Sequence, residues 1–308
     1  MTKLRAGVVG AGAFGRIHAR KYAEDARVQF VGVYDPDDER AQQLADTHGA
    51  TSFPSLDTLL KAADIITIAS PPSFHGATAR RALEAGKHLL VEKPLATDAE
   101  TGAELVRIAH EKKLTIACGH QERLVFDAMG LLSAPETPTR IESVREGPWT
   151  GRSADVSVTL DLMVHDLDLA LQLMKQKPSG ILATGKNVKG KTADQIEARL
   201  AFAPHAETVF ISSRIAGERR RFMRAVYPSG EVNIDFLART FDNTTSFALN
   251  PNFAETRVGA DPLGANVAQF IDAVLGVAPR PAVNGEEALA VLELALDVDR
   301  ASGLPSLS

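Results

Sequence analysis

Three polar residues stand at helical spacing inside an otherwise apolar run, VTLDLMVHDLDLAL. Asp161, His165 and Asp168 are four and three residues apart, which places them on one stripe of a helix predicted from about Val158 to Met174. Burying such groups costs several kcal/mol each unless they are paired. The stripe is therefore either a satisfied Asp–His–Asp network or a ligand site. In a ligand site the imidazole, a group that titrates near neutral pH, can act as a base.

A lysine occupies a second position that suits a site. The sequence Glu92-Lys93-Pro94 comes directly after the predicted strand His88–Val91. Ligands bind outside the carboxyl ends of the strands in open α/β sheets, so the Lys93 ammonium could stabilise negative charge that develops on a bound substrate. The alternative is a surface lysine in a turn.

A third candidate is the glycine-rich stretch VVGAGAFGRIHARKY. Gly10, Gly12 and Gly15 form the pattern G-x-G-x-x-G between a strand-like run and a helix-like run. These glycines allow a tight turn, approach of the backbone to a pyrophosphate and close helix packing, and the free N–H groups of the helix N-terminus attract the negative charge. Asp35 falls where a carboxylate would accept the ribose hydroxyls of adenosine. The pattern favours a dinucleotide site over a structural glycine turn.

The residues after the second predicted strand favour one dinucleotide over the other. Asp35, Asp37 and Asp38 would together repel a 2′-phosphate, and Arg40 lies one helical turn further on. We therefore expect NAD rather than NADP as the cofactor.

Strands and helices alternate through the first 120 residues. Such alternation predicts right-handed βαβ units and a doubly wound parallel sheet. Thr97 and Glu100 match a capping box at the start of one of the helices. The predicted strands are Leu4–Val9, Val28–Tyr34, Asp64–Ala69, His88–Val91 and Leu114–Cys118.

The pattern changes after residue 120. Several strand-like runs follow, and two of them are joined by the turn Pro228-Ser229-Gly230, which predicts a mostly antiparallel sheet. Two helices are predicted at the end of the chain, over about Leu263–Leu275 and Gly285–Ala301. With 308 residues the chain exceeds the usual size of one core, so we expect two domains, 1–120 and 121–308.

Composition excludes several classes of partner. The net charge is −5, which gives no basic field for nucleic acid, and the run Arg219-Arg220-Arg221 is interpreted as a solvated face. The single cysteine, Cys118, cannot build a disulfide framework or a cysteine zinc site, and the ligand spacing around His165 is poor for any metal. No signal peptide and no membrane-spanning apolar run is evident, so we expect a cytoplasmic protein without a membrane partner.

Several motifs in order resemble one enzyme family. The glycine stretch, ASPPSFH, AGKHLLVEKPLA and DLMVHDLDL together resemble the glucose–fructose oxidoreductase, inositol dehydrogenase and rhizopine catabolism (Gfo/Idh/MocA) family over essentially the whole chain. The resemblance implies an α/β fold, with an N-terminal Rossmann domain and a C-terminal α+β domain whose open, mostly antiparallel sheet pairs subunits. It also implies a homodimer or homotetramer that oxidises or reduces a sugar or polyol hydroxyl with NAD or NADP.

The resemblance also assigns residues. Lys93 matches the family's EKP lysine, and Asp161 and His165 match its D-x-x-x-H pair, so these three are the expected catalytic residues. His165 is expected to act as the general base and Lys93 to stabilise the alkoxide. The expected cofactor-binding residues are Gly10, Gly12, Ala13, Phe14, Gly15, Asp35, Ser70, Pro72, His75, Glu92 and Lys93.

A tryptophan and several arginines of the second half are candidates for substrate binding. Trp149 could stack on a sugar ring or a base, and Arg123 and Arg152, like Arg145 and Arg214, could meet phosphates. The alternatives are a core tryptophan and surface arginines. The expected substrate-binding residues are Arg123, Trp149, Arg152, Asp161 and His165.

One long stretch narrows the substrate class. REGPWTGRSADVSVTLDLMVHDLDL is similar to family members that oxidise nucleotide sugars, so oxidation at C3 of UDP-N-acetylglucosamine is the leading expectation. A free sugar or inositol dehydrogenase and a non-catalytic NAD(H)-binding regulator remain as alternatives.

Overall fold

The computed structural model describes residues 3–304. They divide into two compact units, a first unit of residues 3–119 and 263–289 and a second unit of residues 120–262 and 290–304. Among residues 3–304, no helix combines the length and the apolarity needed to cross a bilayer.

The first unit contains a six-stranded parallel sheet in the order β3-β2-β1-β4-β5-β6. The strand order reverses between β1 and β4, which is the position where open α/β sheets bind ligands. The elements are β1 Leu4–Val9, α1 Ala13–Glu24, β2 Val28–Tyr34, α2 Asp38–Thr47, β3 Thr51–Ser52, α3 Leu56–Ala62, β4 Ile65–Ile68, α4 His75–Glu84, β5 His88–Val91, α5 Ala99–Glu111 and β6 Ile116–Cys118.

Helices cover both faces of this sheet. The central strand β4 has the sequence IITI and all four of its residues are buried, as expected for a strand packed on both faces. One core layer joins the sheet to α3, α4 and α5, and the other joins it to α1, α2 and a helix from much later in the chain, α9 (Pro262–Val274). The doubly wound sheet expected from the sequence is confirmed.

Side-chain caps begin three of these helices, α2, α3 and α5. Asp37 caps α2 and Ser55 caps α3. The capping box expected from Thr97 is wrong, because Asp98 is the residue whose carboxylate accepts the Thr101 N–H, at 2.7 Å.

The second unit contains a seven-stranded sheet in the order β13-β12-β11-β7-β10-β9-β8. Only β7 and β10 pair in parallel, so the sheet is mostly antiparallel, as predicted. The remaining elements are α6 Glu122–Met129, β7 Arg140–Glu146, α7 Val164–Met174, β8 Gly180–Lys186, β9 Gln195–Phe202, β10 Ala206–Ser213, β11 Arg220–Tyr227, β12 Gly230–Asp235, β13 Thr240–Asn243, α8 Arg257–Ala260 and α10 Gly285–Ser302.

The helix that carries the predicted polar stripe is not regular at its start. A π-helical turn, Thr159–Met163, precedes α7. Because a π turn is wider than an α turn, the simple i, i+4 stacking expected for Asp161 and His165 does not apply across this junction. Such turns occur frequently at functional sites.

The division into folding domains at residue 120 stays a prediction. The structure places residues 263–289 in the first unit, where Leu263, Val267 and Phe270 of α9 pack in the same core as β1.

Candidate active site

The glycine loop after β1 packs α1 closely against the strand. Gly10 has φ +100°, a backbone conformation that favours glycine. A Cβ built on Gly15 would lie 1.8 Å from the carbonyl oxygen of Gly10, so no larger residue fits there. Gly10 therefore needs glycine because of its backbone conformation, and Gly15 because of the packing of α1 against the loop.

Gly12 differs from these two. A Cβ built on Gly12 would meet no atom within 4 Å, so its need for glycine does not come from the protein's own packing. Gly12 is also the N-cap of α1, and no side chain caps this helix. A helix N-terminus without a side-chain cap, with open space at Gly12, fits a phosphate group. Next to them, Ala13 is exposed and Phe14 is half-buried against the core.

Asp35 lies at the end of β2 beside this loop. Its carboxylate is buried, and it accepts the Ala11 N–H at 2.7 Å and the Asp37 N–H at 2.9 Å. Each carboxylate oxygen keeps a further lone pair that a ribose hydroxyl could use. Arg40 donates two hydrogen bonds to Asp37, at 3.0 and 2.8 Å, so its charge is already held by a carboxylate.

His75 joins the segments that follow β4 and β5. The ring is buried, with Nδ1 at 2.7 Å from the Pro94 carbonyl oxygen and Nε2 at 2.9 Å from the Ser70 carbonyl oxygen. Burial lowers the pKa of His75, although both carbonyls act to raise it. Pro72 lies half-buried in the short 3₁₀ turn between Ser70 and His75. Within residues 3–304, the buried Oγ of Ser70 has no hydrogen-bond partner.

Glu92 and Lys93 end β5. Glu92 is buried and its Oε1 lies 2.7 Å from Nε2 of His18, a fully buried residue of α1. Lys93 is half-buried and is joined to Pro94 by a cis peptide bond. No sequence motif assigns a role to His18, and its position on α1, three residues after Gly15, is the signal that points to it.

In the second unit, the polar residues of α7 divide between two environments. Asp161 and His165 are half-buried, whereas Asp166 and Asp168 are buried. Arg123 of α6, expected to bind substrate, donates its guanidinium hydrogens to both carboxylate oxygens of Asp168. The charge of Asp168 is therefore balanced inside the fold.

Asp166 takes part in a second buried ion pair. Arg145 of β7 donates to it at 2.9 and 3.0 Å and donates to Glu122 of α6 at 2.8 and 2.5 Å. The Phe236 ring lies under the same guanidinium, 5.6 Å from its carbon to the ring centroid. Arg145, a candidate for phosphate contact from the sequence, thus uses its donors on two carboxylates.

Trp149 lies half-buried on the loop after β7. The guanidinium carbon of Arg214 lies 5.2 Å from its ring centroid. Arg214 also donates to Asp194 and to the carbonyl oxygens of Ser153 and Val156, so it holds this loop in place. Arg152 on the same loop is exposed.

Asp194 is held by several donors. Burial alone would raise its pKa, but the backbone N–H groups of residues 188–190 and the Arg214 guanidinium lower the pKa of Asp194 to about 2.

Over residues 3–304, no three His, Cys, Asp or Glu side chains are grouped so that they could hold a metal ion.

Comparison with protein families gives two matches in succession. Residues 4–120 match the model described as oxidoreductase family, NAD-binding Rossmann fold, and residues 135–232 match the GFO/IDH/MocA C-terminal domain. A UDP-N-acetylglucosamine 3-dehydrogenase from Acidithiobacillus ferrooxidans is 37% identical over 242 residues, which cover 78% of this chain and 76% of that protein. This chain belongs to the GFO/IDH/MocA oxidoreductase family. It is a dehydrogenase with an NAD-binding Rossmann fold, as expected from the resemblance.

A solved structure and a second relative show how much of the chain the likeness covers. The solved structure of GnnA, the UDP-N-acetylglucosamine 3-dehydrogenase from Acidithiobacillus ferrooxidans, aligns with a TM-score of 0.86 at 34% identity and covers 98% of each chain. An inositol 2-dehydrogenase from Rhizobium meliloti is 27% identical over 193 residues, 59% of this chain and 58% of that protein.

The expected site residues thus fall into two groups. The first unit brings together the glycine loop, Asp35, Ser70, His75 and Glu92–Lys93 at the carboxyl ends of its strands. The second unit carries Asp161 and His165 at the start of α7, and Trp149 and Arg152 on the loop after β7.

Proposed function

We propose that this dehydrogenase oxidises the C3 hydroxyl of UDP-N-acetylglucosamine with NAD. The observation that carries the proposal is the 37% identity to a UDP-N-acetylglucosamine 3-dehydrogenase over 78% of the chain. The inositol 2-dehydrogenase relative, which matches over 59% of the chain, favours inositol or a free sugar as the second candidate substrate.

Oxidation of a secondary alcohol to a ketone releases one hydride and one proton. NAD, when bound, supplies the hydride acceptor. His165 is the proposed general base, because a neutral imidazole can take the hydroxyl proton as the hydride leaves. The proton then resides on the imidazole until solvent removes it.

Lys93 is proposed to act on the same oxygen. Its ammonium would donate a hydrogen bond to the oxygen while negative charge develops on it, which lowers the barrier for hydride loss. Asp161 would bind a neighbouring hydroxyl or tune the histidine. Lys93 belongs to the first unit and His165 to the second, so their convergence on one alcohol is part of the proposal.

The preference for NAD over NADP is also a proposal. It is supported by the buried Asp35 carboxylate at the end of β2, which would accept ribose hydroxyls and repel a 2′-phosphate. Arg40, the basic residue that follows, already pairs with Asp37.

We further propose that the protein works in the cytoplasm as a homodimer or homotetramer. The seven-stranded sheet would form the subunit interface, since Leu182 and Phe222 on its strands are exposed.

The test is NADH formation at 340 nm with UDP-N-acetylglucosamine, N-acetylglucosamine and myo-inositol. UDP-N-acetylglucosamine is expected to give the highest kcat/KM. Lys93→Ala and His165→Ala are each expected to lose at least about a hundredfold in kcat while the Kd for NADH changes little. If a variant keeps near wild-type turnover, the replaced residue has no role in the mechanism. If the protein binds NADH but oxidises none of the sugars, a regulator is favoured.

A further inference from the structure

An arginine that the proposed mechanism does not use lies beside the buried ion pairs of α7. Arg221 of β11 is the direct register partner of Arg145 of β7. Residues directly opposite in an antiparallel pair point to the same face, with Cβ atoms about 5 Å apart. Met223 and Ala225, which alternate with Arg221 along β11, are buried, so Arg221 is on the face of the sheet that is covered.

The two arginines are not balanced equally. Arg145 donates to both Glu122 and Asp166. The side chain of Arg221 forms no ion pair and no hydrogen bond with any of residues 3–304. Two guanidinium groups thus share one cluster, and the hydrogen-bonded carboxylates face only one of them.

The electrostatic setting of Arg221 is unfavourable. Its side chain is only partly exposed, and burial lowers the pKa of its guanidinium. The positive charges of Arg145 and Arg219 lower this pKa further, and the negative charges of Glu122 and Asp166 act in the opposite direction. Like charges directly opposite in a sheet are destabilising, and a partly buried cation without a hydrogen-bonded carboxylate is costly. An anion that bound here would remove both penalties.

The cluster of Arg145, Arg221, Glu122 and Asp166 is adjacent in the chain to residues of the candidate active site. Asp166, which holds Arg145, directly follows His165 on α7, and the Trp149 loop directly follows β7. A substrate that carries an anion to Arg221 could extend along α7 to His165. The planar guanidinium forms paired hydrogen bonds with phosphate oxygens.

We propose that Arg221 binds the diphosphate of a nucleotide-sugar substrate. The proposal rests on the proposed function, because it assigns the part of that substrate class that a free sugar or inositol lacks. Arg123, Arg145 and Arg214 each already pair with a carboxylate. Arg221, in contrast, has guanidinium donors that no carboxylate of residues 3–304 accepts.

The test compares Arg221→Gln with Arg220→Gln. Arg220 is the adjacent residue of the same strand, exposed, and paired with Glu146 at 3.6 Å, so its replacement makes the same change of charge on the other face. Binding of UDP, uridine and NADH is measured by calorimetry. Arg221→Gln is expected to weaken UDP binding about tenfold or more, and to change uridine and NADH binding less than about twofold. Arg220→Gln is expected to change all three less than about twofold.

The outcomes separate this proposal from the proposed function. Equal UDP affinity in wild type and Arg221→Gln overturns the role of Arg221, and a loss confined to NADH assigns the site to the cofactor instead. The protein could also bind UDP through Arg221 and yet oxidise no UDP-sugar. That result would support the anion site and contradict the proposed function.

A variant with the charge retained covers the case of misfolding. Arg221→Gln relieves repulsion with Arg145, so its Tm is expected to equal or exceed that of wild type. If it does not fold, Arg221→Lys decides: an ammonium without the planar fork should lose several-fold in UDP affinity, and undiminished affinity contradicts the proposal.

Discussion

Replacement of Gly12 by alanine separates cofactor binding from folding. The added methyl group meets no protein atom within 4 Å, and Gly12 has φ −70° and ψ −168°, a conformation open to alanine. Alanine lowers the entropy of the unfolded chain, which stabilises by about 0.4–1 kcal/mol, but it is a poorer N-cap than glycine by a similar amount. The free energy of unfolding should therefore change by less than about 1 kcal/mol.

The same methyl group would stand where the pyrophosphate approaches the backbone. Loss of a hydrogen bond to a charged group costs about 1.5–3 kcal/mol, which corresponds to a roughly 10- to 150-fold weaker Kd for NADH. NADH titration followed by fluorescence measures the affinity, and thermal unfolding without cofactor measures the stability. A Tm within about 4 °C of wild type is expected.

Gly15→Ala is the matched control. Its Cβ would lie 1.8 Å from the Gly10 carbonyl oxygen, so helix and strand must separate. This variant should lose about 1–3 kcal/mol or more of stability together with NADH affinity. If Gly12→Ala bound NADH as tightly as wild type, the placement of the pyrophosphate at this loop would be refuted.

Three further predictions concern charge and position. Asp35→Asn should lower the ratio of kcat/KM with NAD to kcat/KM with NADP by about tenfold, and an unchanged ratio would remove Asp35 from cofactor choice. Gly119→Ala places a Cβ 2.6 Å from Oε2 of the buried Glu92 and 3.2 Å from its Cα, so Glu92 must shift. Turnover should fall, with a loss of about 1–3 kcal/mol of stability, and full turnover would make the position of Glu92 irrelevant. Burial raises the pKa of Asp299 above that of an unfolded aspartate, although the hydrogen bond from Ser157 acts to lower it. The protonated carboxyl therefore contributes to the stability of the fold at low pH, and this contribution is lost as the pH rises. The Tm of Asp299→Asn relative to wild type should therefore increase from pH ~4 to pH ~7, and a constant difference contradicts this.

The sequence predicted those features that local patterns determine. Five of the six strands of the first unit are short apolar runs, such as IITI in β4, and they lie within the predicted runs. The sixth strand, β3 (Thr51–Ser52), is short and polar, and the sequence did not predict it. The helix cap was misassigned between neighbours, because Thr97 and Asp98 are both good N-cap residues and only the backbone conformation distinguishes them.

Features that depend on distant partners were not predictable. Arg123 and Arg145 suited phosphate contacts by residue type, but their carboxylate partners on α7 lie 45 and 21 residues away in the chain. Ser157, two residues before the π turn, likewise has a distant partner, since it donates to Asp299, 142 residues later. Amphipathic α9 predicts a buried face, but not that this face packs in the first unit.

The most direct test of the central claim uses UDP-N-acetylglucosamine carrying deuterium at C3. The protein is incubated with NAD, and the reduced cofactor is analysed by mass spectrometry. The proposed reaction predicts one deuterium in each reduced cofactor formed, together with a 3-oxo nucleotide sugar. Reduced cofactor without deuterium, or no reduction in the presence of this substrate, would contradict hydride transfer from C3.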